Sequence, residues 1–303
     1  NKLWNASRFV RMNLTIDHVE LPATGKLAPE DKWILTEYNR TVAAVQNALN
    51  SYEVGIALSN LYDFVWDVFC DWYIELSKAR LSEKDTAENP VAQNVIAFVL
   101  TGILKLLHPF MPFITEEIFG ALPHEEESIM IAGYPVPDET LEFADAAADM
   151  ERVIAVIRAI RTRRNEMNVP PSRKAKVYLA TKYEKSFAGT EAFFARLASA
   201  SALEVAAEFD GSVISGDNAV QIVTDSATVF LPLSDIIDYE KEKARLAAEL
   251  EKLDGEITRA KAKLANESFV SRAPAAVVAG ERDKLAKYEE NRAGVAAALA
   301  KLN

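Results

Sequence analysis

The sequence predicts a mainly α protein with a small α+β domain, in three parts. These are an antiparallel helical bundle over residues 1–143, a small four-stranded mixed sheet with covering helices over 144–235, and an antiparallel coiled-coil hairpin over 236–303. Three observations carry that prediction. Val54 to Lys78 is a long apolar stretch with a carboxylate at every fourth residue; four short runs of β-forming residues lie between Lys174 and Leu233; and from Leu246 onward apolar residues recur at alternating spacings of four and three.

In the first stretch Leu58, Leu61, Val65, Val68, Phe69, Trp72 and Leu76 have helical spacing, and Phe64, Trp66, Tyr73 and Ile74 widen the apolar arc. The remaining stripe is acidic, with Asp63, Asp67, Asp71 and Glu75. Charges at that density exclude a membrane span, so the stretch reads as the central helix of a bundle. Like charges at i,i+4 repel, so the stripe is expected to meet basic partners among Arg8, Arg11, Lys78 and Arg80. No His accompanies the carboxylates, and no metal site is expected there.

The other bundle helices follow from the same periodicity. Asn1 to Leu14 places Leu3, Ala6, Val10 and Leu14 on one face and Trp4, Arg8 and Arg11 on another. An aromatic ring beside two guanidiniums suits a nucleic-acid surface, where rings stack on bases and Arg meets phosphates; the bland reading is a core Trp4 with arginines that neutralise the acidic stripe. Pro29 opens a helix with Ile34, Tyr38, Val45, Leu49 and Tyr52 on its core face, and Trp33 in its first turn is either a base-stacking platform or a plug at the bundle end. Asn89-Pro90 has the form of a cap and first helical residue, leading into Val91, Val95, Phe98, Val99, Ile103, Leu106 and Leu107 before Pro109 and Pro112 break the helix. His108 there reads as a core histidine with a hydrogen bond rather than a catalytic base.

Leu122 to Glu142 is a Pro, Gly and acidic loop that reads as a domain boundary. Val153 to Pro171 then gives a helix with the densest basic cluster of the chain, Arg158, Arg161, Arg163 and Arg164: either a solvated face or a contact for an RNA backbone. Lys174–Ala180, Leu203–Ala207, Ala219–Thr224 and Thr228–Leu233 read as strands, with Phe187–Ser199 as a helix between the first two.

The last part carries one seam through Leu246, Leu250, Leu253, Ile257, Ala260 and Leu264, and a second through Val278, Glu281, Leu285, Tyr288, Arg292, Val295, Leu299 and Leu302. The short link around Phe269 to Pro274 forces an antiparallel hairpin, which pairs Leu264 with Val278, Ile257 with Leu285 and Leu246 with Val295. That register sets Arg292 level with Glu249 and Leu250, as an ion pair that fixes it. It also gathers Arg259, Lys261, Arg282 and Lys284 into a basic patch near Lys263 and Lys287.

The chain has 303 residues, half of them apolar, and a net charge of −11, which excludes broad non-specific nucleic-acid binding. The charge is uneven: Asp238 to Asn303 holds 13 Lys and Arg against 12 Asp and Glu, so the excess acid lies elsewhere and any RNA contact must be local. One cysteine, Cys70, gives no disulfide framework and points to the cytoplasm; the three histidines have no zinc-ligand spacing. The chain opens within a helical pattern, without an initiator Met, which points to a part of a longer protein.

Phe69 to Lys78 (FCDWYIELSK), Leu107 to Glu117 (LHPFMPFITEE) and Val156 to Pro171 (VIRAIRTRRNEMNVPP) resemble the anticodon-binding bundle, and the entry to a small α/β domain, of the valyl-tRNA synthetases. With the terminal hairpin the resemblance runs through the whole chain in order. It implies a tRNA-reading part of a class I synthetase whose parent esterifies tRNA with valine, using ATP and Mg; the signature motifs that hold ATP, and the editing domain, are not in this sequence. This part alone is then expected to be inactive, without a cofactor, monomeric, and bound to valine-specific tRNA rather than to DNA or a membrane. The resemblance further implies that Trp4, Arg8 and Trp33 read the anticodon. It also implies that Arg259, Lys261, Arg282 and Lys284, on an arm roughly 45 Å long, meet the outer corner of the tRNA. The alternative is a protein-interaction scaffold built on the coiled coil.

Overall fold

A computed structural model describes residues 1–209, 219–236, 239–266 and 274–300. The chain divides into two compact units, residues 1–159 with 183–193, and residues 160–182 with 194–303.

The first unit is a helical bundle. Helix α1 (Lys2–Asn13) buries Ala6, Ser7 and Val10. Helix α2 (Pro29–Asn50) starts with Pro29 at its first turn, where a missing N–H costs nothing, and the Asp31 carboxylate accepts the Ala28 N–H at 3.1 Å. Residues 54–82 form one rod, although not the uniform α-helix that the apolar spacing predicts: α3 (Val54–Asp63) passes into a π-helical segment (Phe64–Tyr73) and then into α4 (Ile74–Ser82). Helix α5 (Glu88–Leu107) is buried along nearly all its length, which makes it, rather than the 54–78 stretch, the centre of the unit. It is the one described helix long and apolar enough to cross a membrane, and most of its surface is covered by protein.

Asn89 does not cap α5. It lies inside the first turn, where its amide donates to the carbonyls of Arg80 at 2.8 Å and Leu81 at 3.1 Å, tying the start of α5 to the end of α4. After α5, Pro112 opens α6 (Pro112–Phe119), and the His108 ring meets the Thr115 hydroxyl at 2.7 Å, the satisfied histidine expected from its neighbours. The loop over 122–142 lies down on α2: Gln46 donates to the Pro135 carbonyl at 3.0 Å, the Asp138 N–H donates to Asn39 at 2.7 Å, and the Phe143 N–H donates to Thr36 at 2.9 Å. Helix α7 (Ala144–Glu166) starts in this unit and runs into the second.

The second unit holds a sheet in the order β2-β1-β4-β3. Strand β1 (Ala175–Ala180) is parallel to β2 (Ala200–Ala206) and antiparallel to β4 (Thr228–Pro232), which pairs antiparallel with β3 (Ala219–Val223). All four strands fall on the four β-forming runs. The helix expected over 187–199 is two short ones, α8 (Glu184–Phe187) and α9 (Glu191–Leu197), because Gly189 between them takes φ +76°, a left-handed turn no helix interior accepts. After α10 (Leu233–Ile236), the long helices α11 (Tyr239–Ala265) and α12 (Ala275–Ala300) pack on each other. Their ion pairs join Lys263 to Glu281, Lys261 to Glu289 and Asp254 to Arg292, so one number falls as the other rises and the pair is antiparallel. Leu246, Ile257, Ala260 and Val278 are buried between them. The link over 267–273 and the last seam residue, Leu302, lie outside the described residues.

Candidate nucleic-acid interface

Helix α1 turns its apolar side to the bundle and leaves the other side free. Trp4 is 42% exposed, and Arg8 and Arg11 are exposed one and two turns later. Neither arginine forms an ion pair among the described residues, so they do not neutralise the acidic stripe as the charge pattern predicts. Two of its acids find other partners, Asp71 in Lys2 at 2.7 Å and Glu75 in Lys78 one turn away. Arg80 turns inward to Glu30 and Asp31. Two uncommitted guanidiniums beside an exposed indole can meet phosphates and a base face.

Trp33 has no such freedom. It is 4% exposed, in a first turn where Glu30, Asp31, Ile34 and Leu35 are buried as well. A ring enclosed on both faces cannot stack on a base, and the expected anticodon-stacking role is corrected to a core one.

An exposed aromatic that the sequence hides is Trp66. Read as part of the apolar arc, it is 39% exposed, stacked on Tyr62 with ring centroids 5.2 Å apart, with the Lys2 ammonium 4.2 Å from its own centroid. The signal was present, since Val54, Leu58, Tyr62 and Trp66 repeat at every fourth residue, a second apolar stripe beyond the width one buried face needs.

The loop after α1 is fixed to α5. The Thr15 N–H donates to Gln93 and the Glu20 N–H donates to Asn94, each at 2.7 Å. Between that loop and the start of α5 lies a groove of about 700 Å³ lined by Leu21, Pro22, Lys26, Val91 and Asn94. It offers apolar walls, an amide, one ammonium and the carboxylates of Glu20 and Glu88.

The basic cluster of α7 does not act as one patch. Arg164 is buried and donates to the carbonyls of Pro170, at 3.1 Å, and Arg173; Arg163 pairs with Glu166 at 3.2 Å; Arg158 lies over the Trp72 ring at 5.7 Å. Arg161 stays exposed and outside any ion pair among the described residues. On the arm, Arg259 pairs with Glu256 at 2.7 Å, Lys261 with Glu289 at 2.8 Å, and Lys284 with Glu281 at 3.3 Å. Of the four expected arm residues, Arg282 alone is exposed with no ion pair among the described residues, and Lys287 nearby is like it. Arg292 reaches Asp254 rather than the level of Glu249, because helical side chains lean toward their own N-terminus, here toward the link. Among the described residues no three His, Cys, Asp or Glu side chains converge as metal ligands.

Residues 31–179 match the family model described as the anticodon-binding domain of tRNA ligase, which places the bundle in that class of RNA-facing helical domains. Residues 238–303 match a second model, described as the valyl tRNA synthetase tRNA binding arm. The chain is 42% identical to a valine–tRNA ligase of Bacillus cereus over 306 residues, covering 100% of this chain and 34% of the relative. It is 46% identical to one of Clostridium perfringens over 293 residues (96% and 33%) and 39% identical to one of Bacillus subtilis over 308 residues (100% and 34%). It belongs to the valyl-tRNA synthetase family, as a C-terminal region spanning about a third of the length of those relatives.

Proposed function

We propose that this chain is the tRNA-binding part of a valine–tRNA ligase, which reads the anticodon with its bundle and holds the outer corner of the tRNA with its arm. The observation that carries the reading is the outward face of α1, where Trp4, Arg8 and Arg11 stand exposed without acidic partners in a protein of net charge −11. In a strongly acidic chain such cations are free for phosphates only where carboxylates have been kept away from them. The groove beside the loop that follows α1 adds a place for an unstacked base, with Lys26 and Asn94 on its wall and Glu20 and Glu88 keeping the phosphate outside it.

Three modules divide the work: 1–143 for the anticodon, 144–235 as the small α/β domain, and 236–303 as the arm. On the arm, Arg282 makes the first contact with the RNA backbone. Arg259, Lys261 and Lys284, themselves exposed, follow by exchanging their carboxylates for phosphates, since ion pairs at the surface contribute little. Valine, ATP and Mg belong to the catalytic part of the longer parent enzyme, working as a cytoplasmic monomer, and this chain alone activates no amino acid.

The test is a titration of valine-specific tRNA into the chain at several salt concentrations. Binding that weakens linearly on a log–log plot supports the reading. Absence of binding, with the chain folded, overturns it and leaves the coiled-coil scaffold as the remaining account.

A further inference from the structure

Helix α3 and the start of the π-helical segment are apolar on two sides. Ala57, Leu61 and Val65 are buried against the bundle, while Val54, Leu58, Tyr62 and Trp66, repeating at every fourth residue on another side, are each between 39% and 54% exposed. This second stripe runs for roughly 18 Å along the rod. Tyr62 is stacked on Trp66 at one end, and Tyr52, almost fully exposed, stands ahead of the other. A helix apolar on both sides is one that is covered on both, and contiguous apolar surface of this kind marks an interaction site.

The surroundings define what covers it. Asp63 and Asp67, each next in sequence to an aromatic of the stripe, are exposed and form no ion pair among the described residues. They repel a phosphate backbone. Trp66 offers a base no stacking face either, since Tyr62 and the Lys2 ammonium already lie against its ring. A second copy of the chain fits no better: a twofold contact of like patches would set the unpaired carboxylates of both copies in one interface, with no cation to meet them. What fits is a protein surface, apolar at its centre and lined at its rim by Lys or Arg.

The rest of the parent chain is placed to supply it. This chain spans about a third of the length of its relatives, as their C-terminal region, so most of such a protein lies outside it. Lys2, in the first turn of α1, donates to the Trp66 carbonyl at 3.1 Å, stands 4.2 Å from the centre of its ring and pairs with Asp71 at 2.7 Å. Whatever leads into α1 in the longer protein therefore arrives beside the Trp66 end of the stripe, and a tethered partner meets its site at high effective concentration. We propose that the Val54–Trp66 face is the docking surface for the part of the parent that precedes this region, and that this part presents an apolar patch rimmed by basic side chains. The proposal does not rest on tRNA binding.

The experiment compares this chain with the full-length parent, both without tRNA. Leu58→Cys and Tyr62→Cys are made separately in each, and the rate of maleimide labelling is read at that peptide by mass spectrometry, with circular dichroism to show that each variant is folded. Both positions are exposed here, so the chain alone should label as a free thiol does. The parent should label about tenfold slower or more, since a covered thiol reacts only when the contact opens. Adding Asp63→Lys and Asp67→Lys to the parent should bring its rate back toward that of the chain alone, because the basic rim then faces like charge. Equal rates in the chain and the parent mean that the face is free, and the inference is wrong. It is equally wrong if protection appears only on adding tRNA, which makes the occupant RNA, or grows with protein concentration, which makes it a second copy. Protection that the two lysines leave unmoved overturns the basic rim, and with it the partner proposed.

Discussion

Arg80 lays both terminal nitrogens on the carboxylate of Asp31, at 2.8 and 2.6 Å, and Asp31 is 0% exposed. The Tyr73 hydroxyl donates to the same carboxylate at 2.8 Å, and Glu30 lies 2.8 Å from the guanidinium. One residue of α4 thus neutralises two buried acids of α2. Arg80→Met leaves both without a countercharge, and breaking such a pair costs about 3–5 kcal/mol. Urea unfolding of the variant should show that loss, and an unchanged midpoint would mean that water enters and replaces the arginine.

The same cluster sets a pH dependence. Burial raises the pKa of Glu30 above its usual 4.5, with Arg80 opposing and Asp31 adding to the rise. Between the usual and the raised value the folded chain holds more protons than the unfolded one. The Glu30 contribution to stability therefore falls as pH rises through that window and is flat above it. Glu30→Gln removes this slope. Unfolding midpoints measured from pH 4.5 upward should converge or cross between the two proteins, and parallel curves would show that Glu30 does not titrate differently in the two states.

Trp4 and Trp33 separate surface from core. Trp33→Ala should cost roughly 3–5 kcal/mol of stability and leave tRNA affinity of the folded protein unchanged, whereas Trp4→Ala should weaken tRNA binding about tenfold with little change in melting. Thermal melts and filter binding on both variants decide the matter, and reversed effects would exchange their roles.

On the arm, Arg282→Glu should weaken tRNA binding and lower the salt slope by about one, more than Arg259→Glu does, because Arg259 already has Glu256. Equal effects of the two variants would show that the ion pairs of the isolated arm do not survive on RNA.

Cys70 is half-buried, and burial pushes its thiol up to about 11, Lys2 pulling it down and Asp71 raising it. Since the thiolate is the reactive form, alkylation by iodoacetamide at pH 8 should run about ten- to a hundredfold slower than for free cysteine. Mass spectrometry over time reads this directly, and modification at the free rate would place the sulfur in water.

The elements were legible where one periodicity ruled. The strands fall on four short β-forming runs, and the arm on heptads whose ion pairs run antiparallel. Which candidate side chains stand exposed was legible in part. Trp4 and Arg8 stand free because α1 has one clear apolar face. Trp33 and Trp66 exchanged expectations because both belong to segments rich in apolar residues on every side, where spacing alone does not say which face a neighbour will cover. The buried Arg80 cluster was hidden for another reason: its members are 49 residues apart, and only tertiary packing joins them.

The π-helical segment gives the bundle a property of a different kind. Each hydrogen-bonded ring in Phe64–Tyr73 encloses one more residue than an α-helical ring does. The stretch therefore carries slack: losing a single residue there can be absorbed by tightening rings, so that α3 and α4 keep their mutual phase. The same loss in α5 would turn every later side chain by roughly 100° and bring its buried face to water. Length is thus negotiable in one helix of this bundle and fixed in its neighbour, and single-residue deletions should be tolerated along 64–73 before anywhere in 88–107.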